Sequence, residues 1–60
     1  MNTKLKNTRR QKGLTQAEVA KRAGITATGY SRYENGQRTP RVDVAKRIAN
    51  ALGSTVDELF

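Results

Sequence analysis

Basic side chains are concentrated in the first two thirds of this 60-residue chain. Residues 1–41 carry 10 Lys and Arg against 2 acidic side chains, whereas residues 42–60 carry 2 against 3, and the formal net charge is +7. A surface built only for solubility normally mixes both signs. A basic excess confined to one part of a small protein is typical of binding to nucleic acid or to an acidic membrane. We therefore expect an anionic partner.

Side chains that support enzymatic chemistry are scarce. The sequence contains no His and no Cys, so the imidazole bases and the thiolate or imidazole ligands of most catalytic and zinc sites are missing. We expect no enzyme activity, no cofactor, no metal and no small-molecule substrate. Apolar runs reach at most three residues, far below the roughly 20 that span a bilayer. The expectation is a cytoplasmic protein with no membrane partner.

The spacing of caps and glycines predicts two short helices in the middle of the chain. Thr15 and Glu18 form a T-x-x-E pattern, which is typical of the capping box at a helix N-terminus. Gly24 predicts the end of this second helix, and Thr26 predicts the cap of a third helix. Two helices joined by a turn of a few residues form a helix-turn-helix.

The flanking sequence predicts three more helices. Residues 3–12 contain good helix formers, with Leu5 as the apolar anchor. Gly13, which follows them, predicts the end of this first helix. A second T-x-x-E pattern, Thr55 to Glu58, predicts a short fifth helix. A fourth helix is predicted from apolar residues at helical spacing that would face the core: Val42, Ala45, Ile48, Ala49 and Leu52.

This pattern resembles the lambda-repressor-like, Cro/CI-type helix-turn-helix of phage and bacterial regulators. The positions that match that family's pattern are Leu5, Arg9, Gly13 to Gln16, Ala20, Gly24, Glu34 to Gly36, Pro40, Ala49, Leu52, Gly53 and Asp57 to Leu59. The resemblance implies a single all-α domain of five helices over residues 1–60. It also implies a transcriptional regulator, a repressor, that binds a two-fold operator in double-stranded DNA. Such a protein would be bacterial or phage-encoded, nucleoid-associated, and a homodimer at least on DNA.

One face of the predicted third helix suits a DNA groove. At 100° per residue, Tyr30, Tyr33 and Glu34 share one arc. The opposite arc, which we call the base-reading face, consists of Ala27, Thr28, Ser31 and Arg32. Short side chains allow a helix to approach base edges, and Arg can bind guanine O6 and N7 together. Arg32 is our first choice for base readout, and a merely solvated Arg32 is the alternative.

The resemblance also implies contacts with the DNA backbone. In relatives, the residues that match Gln16 and Asn35 bind phosphate, and the loop with Arg38, Thr39 and Arg41 approaches the backbone or the minor groove. Three further residues complete the predicted backbone contacts: Arg10, Thr26 and Tyr33. For Gln16 the alternative is an ordinary polar residue in a first helical turn.

Two departures from the family pattern fall in the third helix. Gly29 stands where relatives usually have Ser or Thr, and Gly in a helix costs roughly 1 kcal/mol relative to Ala, so this helix could be soft until DNA orders it. Tyr30 and Tyr33 replace Ile or Leu. Their hydroxyls need partners, which leaves two readings: plain core filling, or emergence at the rim and contact with phosphate.

Two further assignments concern structure and assembly. Arg9 and Glu34 match a pair that in relatives forms a partly buried ion pair. The apolar C-terminal end, Val56, Leu59 and Phe60, is the candidate dimer surface, with packing of Leu59 inside the domain as the alternative. A second function stays open: an antitoxin-like interaction module that binds a partner protein through this end.

Overall fold

Five α-helices make up the computed structural model, which describes residues 2–60. They are α1 (Thr3–Gln11), α2 (Gln16–Ala23), α3 (Ala27–Glu34), α4 (Val42–Ala51) and α5 (Val56–Leu59). Within residues 2–60 there is no strand, and the predicted all-α, five-helix architecture is confirmed. No helix in this part of the chain is long and apolar enough to cross a membrane.

The start of α2 carries the predicted capping box. The Thr15 hydroxyl accepts a hydrogen bond from the Glu18 amide at 3.1 Å, and the Thr15 amide donates to Glu18 Oε1 at 3.1 Å. Two of the amides that a helix N-terminus leaves without partners are thereby satisfied. The hydrogen bond from the Thr15 amide lowers the pKa of the Glu18 carboxyl.

The turn between α2 and α3 is set by Gly24. This residue has φ +72°, a left-handed conformation that glycine adopts without steric cost. The Ile25 amide donates to the Ala20 carbonyl at 2.9 Å, the long bond of a Schellman motif. Thr26 then caps α3 by accepting from the Gly29 amide at 3.0 Å. One helix therefore ends and the next begins within three residues, which fixes the angle between them.

The fifth helix begins at Thr55 as predicted, but its cap differs from that of α2. The Thr55 hydroxyl accepts from the Glu58 amide at 3.2 Å and also donates to Glu58 Oε1 at 3.2 Å. The same four-residue pattern thus engages the hydroxyl twice, where α2 uses the hydroxyl and the backbone amide of Thr15.

The core lies between α1, α2 and α4, with α3 and α5 closing two sides. Its buried members are Leu5, Val19, Ala20, Ala23, Tyr30, Ile48, Ala49, Leu52 and Leu59. The predicted inward position of Val42 is wrong, because this residue is 69% exposed. Val42 is the first residue of α4, and the apolar stripe of that helix continues one turn beyond the core. Val44 packs against the core instead and is half-buried.

Asn2 connects three helix ends. Its side-chain Oδ1 caps α1 by accepting from the Leu5 amide at 3.0 Å, and its Nδ2 donates to the Leu59 carbonyl at 2.6 Å. The Asn2 amide donates to the Glu34 carbonyl at 2.9 Å. One residue therefore joins the start of α1 to the ends of α3 and α5.

Replacing Asn2 by Ala should lower the free energy of unfolding by about 1–2 kcal/mol, since it removes a helix cap and a long-range hydrogen bond. Urea unfolding followed by circular dichroism measures the change. Asn7→Ala is the matched control, because Asn7 is exposed in the middle of α1 and Ala favours a helix interior. Equal stability of the two variants would contradict the connecting role of Asn2.

Candidate nucleic-acid interface

The third helix exposes its base-reading face and buries the opposite one. Ala27, Thr28 and Arg32 are exposed and Ser31 is half-buried, whereas Tyr30 and Glu34 are buried. The exposed side chains other than Arg32 are short, so nothing prevents this face from approaching a groove closely. Arg32 lies in the last turn of α3, where the helix dipole favours a cation.

Gly29 fits closely beside the cap of α3. A Cβ at this position would lie 3.0 Å from Thr26 Oγ1, the same oxygen that accepts the Gly29 amide. A larger residue at this position would therefore require the Thr26 side chain to shift by a few tenths of an ångström. Softness of α3 in the absence of DNA stays a prediction.

The two tyrosines of α3 have different environments. Tyr30 is completely buried in the core, so the reading in which its hydroxyl reaches the rim and touches phosphate is wrong, and core filling is right. Among residues 2–60 no hydrogen-bond partner faces the Tyr30 hydroxyl, and burial raises its pKa, with the nearby Glu34 carboxylate acting in the same direction. Tyr33 is half-buried: it packs on the core and borders an open groove beside Arg38.

The basic surface is almost entirely unpaired. Within residues 2–60 a single ion pair is present, between Arg9 and Glu34. The side chains predicted to meet the DNA backbone are exposed at Arg10, Thr26, Asn35, Arg38, Thr39 and Arg41. Because no carboxylate neutralises these guanidinium groups, their charge is available to an external anion.

The Arg9–Glu34 pair is bidentate and partly buried. Arg9 Nε donates to Glu34 Oε2 at 2.9 Å and Arg9 Nη2 to Oε1 at 3.0 Å, with side-chain exposures of 12% and 2%. Arg9 Nη1 donates to the Leu14 carbonyl at 2.8 Å. The structure thus brings the predicted pair together and uses it to join α1, the α1–α2 turn and α3.

Burial and hydrogen bonding oppose each other at Glu34. Burial alone would raise the pKa of this carboxyl, but hydrogen bonds from Arg9 and Gln16 outweigh it, and the pKa lies below its ordinary value. The Glu34 carboxylate in turn raises the pKa of Arg9. Both groups are therefore charged at neutral pH.

Gln16, a predicted phosphate contact, has a partner that the sequence did not reveal. Its Nε2 donates to Glu34 Oε1 at 3.3 Å, and the side chain is half-buried. Asn35, the other predicted phosphate contact near α3, is exposed, and its Nδ2 donates only to Ser31 Oγ at 3.4 Å. The two residues thus differ in how firmly the domain holds them.

A family model described as "Helix-turn-helix" matches residues 5–59. The chain belongs to the helix-turn-helix family. The match covers all five helices except the first two residues of α1. With five helices and no strand in the described residues, the domain is of the lambda-repressor-like type that its sequence resembles.

Curated relatives of this helix-turn-helix domain come from bacteria and archaea. It is 51% identical over 49 residues to the uncharacterized HTH-type transcriptional regulator YqaF of Bacillus subtilis, covering 82% of this chain and 64% of that protein. It is 39% identical over 56 residues to the cryptic phage CTXphi transcriptional repressor RstR of Vibrio cholerae, covering 93% of this chain and 50% of that protein. An uncharacterized HTH-type transcriptional regulator of Methanothermobacter thermautotrophicus is 38% identical over 61 residues, covering 100% of this chain and 88% of that protein. The chain spans about half to two thirds of the length of the first two relatives.

The C-terminal end of the helix-turn-helix domain is less apolar on the outside than predicted. Leu59 is 1% exposed and packs in the core, where α5 meets α1 and α4. Its assignment to a dimer surface is therefore wrong, and the alternative of packing inside the domain is right. Val56 is half-buried and Phe60 is 42% exposed, so only these two can contribute to a surface there.

Acid should destabilise this helix-turn-helix domain through Glu34. A carboxyl whose folded pKa is lowered stabilises the fold above its unfolded pKa, near the ordinary value of 4.5, and that stabilisation is lost as pH falls through the folded pKa. The double variant R9M/E34M lacks the titrating group. It should nonetheless fold, because an apolar pair often replaces a buried ion pair at little cost.

The measurement is the free energy of urea unfolding of both proteins from about pH 7 to about pH 3. We expect the wild type to lose stability relative to R9M/E34M below about pH 4.5, where Glu34 of the unfolded chain takes up a proton that the folded protein does not yet bind. Glu18, whose pKa is also lowered, is present in both proteins and cancels. A difference between the two proteins that is constant with pH would show that Glu34 titrates normally.

Proposed function

We propose that this protein is a sequence-specific DNA-binding regulator that represses transcription by occupying a two-fold operator through the major groove. The observation that carries the proposal is the exposed base-reading face of α3, set in a surface whose basic side chains are unpaired. The relative from Vibrio cholerae is named a phage transcriptional repressor, which supports the repressor role. We propose a bacterial or phage-encoded protein that acts on the nucleoid in the cytoplasm, as the relatives from Bacillus subtilis and Vibrio cholerae suggest.

The base contacts come from α3. Ala27, Thr28 and Ser31 let the helix lie close to the base edges, where a threonine or alanine methyl can meet a thymine methyl. Arg32 supplies the one long donor, suited to bidentate contact with a guanine. In a two-fold dimer the two α3 helices would lie about 34 Å apart, one helical turn of DNA.

Backbone contacts surround α3 on both sides. The first turn of α2 offers the amides of Gln16 and Ala17, which have no acceptor within the helix, together with the positive end of the helix dipole. Gln16 adds its side-chain amide there, next to the C-terminal end of α3, where Asn35 follows Glu34. Arg38 and Arg41 lie in the α3–α4 loop and neutralise phosphates or enter a narrow minor groove. Arg10, Thr26, Tyr33 and Thr39 complete the backbone contacts.

The dimer would form on DNA through the end of α5. Phe60 offers the exposed apolar surface and Val56 part of one. The antitoxin-like alternative needs a larger exposed apolar surface than Phe60 and Val56 provide. Leu59 cannot add to that surface, because it is buried inside the domain. The DNA-binding function is therefore the one that the surface favours.

The proposal is tested by selecting an operator from a random DNA pool and measuring its affinity at several salt concentrations. With about 5 to 8 phosphate contacts per monomer, log affinity should fall linearly with log salt at about 0.9 per contact. The physical reason is release of the counterions that the basic side chains replace. An affinity that does not change with salt, or a pool that yields no enriched sequence, would overturn the proposed function.

Arg32→Ala should remove one base preference. We expect a loss of about 1–3 kcal/mol on the selected operator and flattened discrimination at one position per half-site, because a bidentate guanine contact is lost. Binding to unrelated DNA should fall much less. The measurement is a base-preference profile over a library of operator variants at fixed salt.

Arg38→Ala is the control for Arg32→Ala, because it removes the same charge from the α3–α4 loop. It should weaken all sequences evenly and reduce the salt slope by about one. If Arg32→Ala leaves the base-preference profile unchanged, Arg32 does not read a base. Base readout would then fall to Ala27, Thr28 and Ser31.

A further inference from the structure

Glu34 contacts both the buried ion pair and a predicted phosphate ligand. Its Oε2 accepts from Arg9 Nε at 2.9 Å, and its Oε1 accepts from Arg9 Nη2 at 3.0 Å and from Gln16 Nε2 at 3.3 Å. Glu34 is the last residue of α3 and Gln16 the first residue of α2. The carboxylate therefore links the end of one helix of the helix-turn-helix to the start of the other.

The acceptor offered to Gln16 is fixed in place. Glu34 is 2% exposed, and Arg9 holds both of its oxygens while donating a third hydrogen bond to the Leu14 carbonyl. A Gln side chain on the surface is free to rotate and loses that freedom when it binds a ligand. The bond to Glu34 restricts Gln16 before any ligand arrives.

The chemistry of the amide allows two bonds at once. The Gln16 nitrogen carries two N–H donors; one is directed to Glu34 Oε1, and the other remains for a second acceptor. The charge of the carboxylate would normally repel a phosphate nearby, but the bidentate guanidinium of Arg9 compensates it. Glu34 can therefore orient a donor toward an anion.

We propose that Glu34 is a positioning residue for DNA binding, which holds the Gln16 amide in the orientation that donates to a DNA phosphate. This role rests on the proposed function, in which Gln16 contacts phosphate. It goes beyond the structural role of the ion pair, because the pair then affects affinity as well as stability. Asn35 has no such link, since its amide donates to Ser31 Oγ at 3.4 Å.

The first test needs no DNA. The order parameter of the Gln16 side-chain amide is measured by ¹⁵N relaxation of the free wild-type protein. It should be close to the ~0.85 that is typical of rigid backbone, whereas flexible groups fall below ~0.6. Gln11 and Gln37 are the internal controls, because both are exposed. In R9M/E34M the Gln16 value should fall to that of the controls. A Gln16 amide as mobile as Gln11 and Gln37 in the wild type overturns the positioning role.

The second test is a double-mutant cycle on operator affinity between Q16M and R9M/E34M. The latter keeps the net charge, because it removes one positive and one negative group, so long-range attraction to DNA is unchanged. Q16M should cost about tenfold in the wild type, the lower end for a hydrogen bond to a charged group. It should cost only about threefold in R9M/E34M, where an unrestrained Gln16 must be ordered on binding.

Asn35→Ala provides the matched control, and its cost should be the same in both backgrounds. Equal costs of Q16M in the two backgrounds would overturn the proposal and leave the ion pair with a structural role alone. Failure of the proposed function is a different result: the wild type itself would then enrich no operator, whatever the mobility of the Gln16 amide.

Discussion

The buried bidentate pair of Arg9 and Glu34 is the interaction on which the arrangement of the domain depends. A 60-residue chain without disulfides has a small core, and the buried charge of Glu34 is tolerable only while Arg9 compensates it. The pair joins α1, the α1–α2 turn and the end of α3 through three hydrogen bonds from one guanidinium. The orientation of α3 relative to α2 therefore depends on electrostatics as well as on packing.

The third helix needs such support because it is short. Eight residues form a marginal helix in isolation, and Gly29 weakens it further. Its stability comes from the Thr26 cap, from the buried Tyr30 ring and from Glu34 at its end. These groups occupy the inner face, so the outer face does not hold the fold together. In the proposed function, stability and specificity are therefore carried by different residues of the same two turns.

Local patterns predicted most of the fold, because caps and glycine-terminated helix ends act within a few residues. Thr15 and Thr26 each cap a helix as expected, and the division of α3 into two faces follows from its periodicity alone. The features that were missed depend on tertiary contact. The bond between Gln16 and Glu34 joins residues 18 apart in sequence, and the bond from Asn2 to Leu59 joins residues 57 apart. The contacts of Asn2 were not predicted, because nothing local to this residue indicates a partner at Leu59.

The hydrogen bond from Asn2 Nδ2 to the Leu59 carbonyl, 2.6 Å long, holds the two ends of the described residues close together. A short peptide linker could therefore join them into a closed ring. Cyclisation of this kind would lower the conformational entropy of the unfolded chain, and so stabilise the fold, without altering the base-reading face. It would also permit circular permutants, in which new termini are opened at a surface turn such as that around Gly53 and Ser54, away from the α3–α4 loop. Fusion partners could then be attached on a side of the domain chosen by the designer.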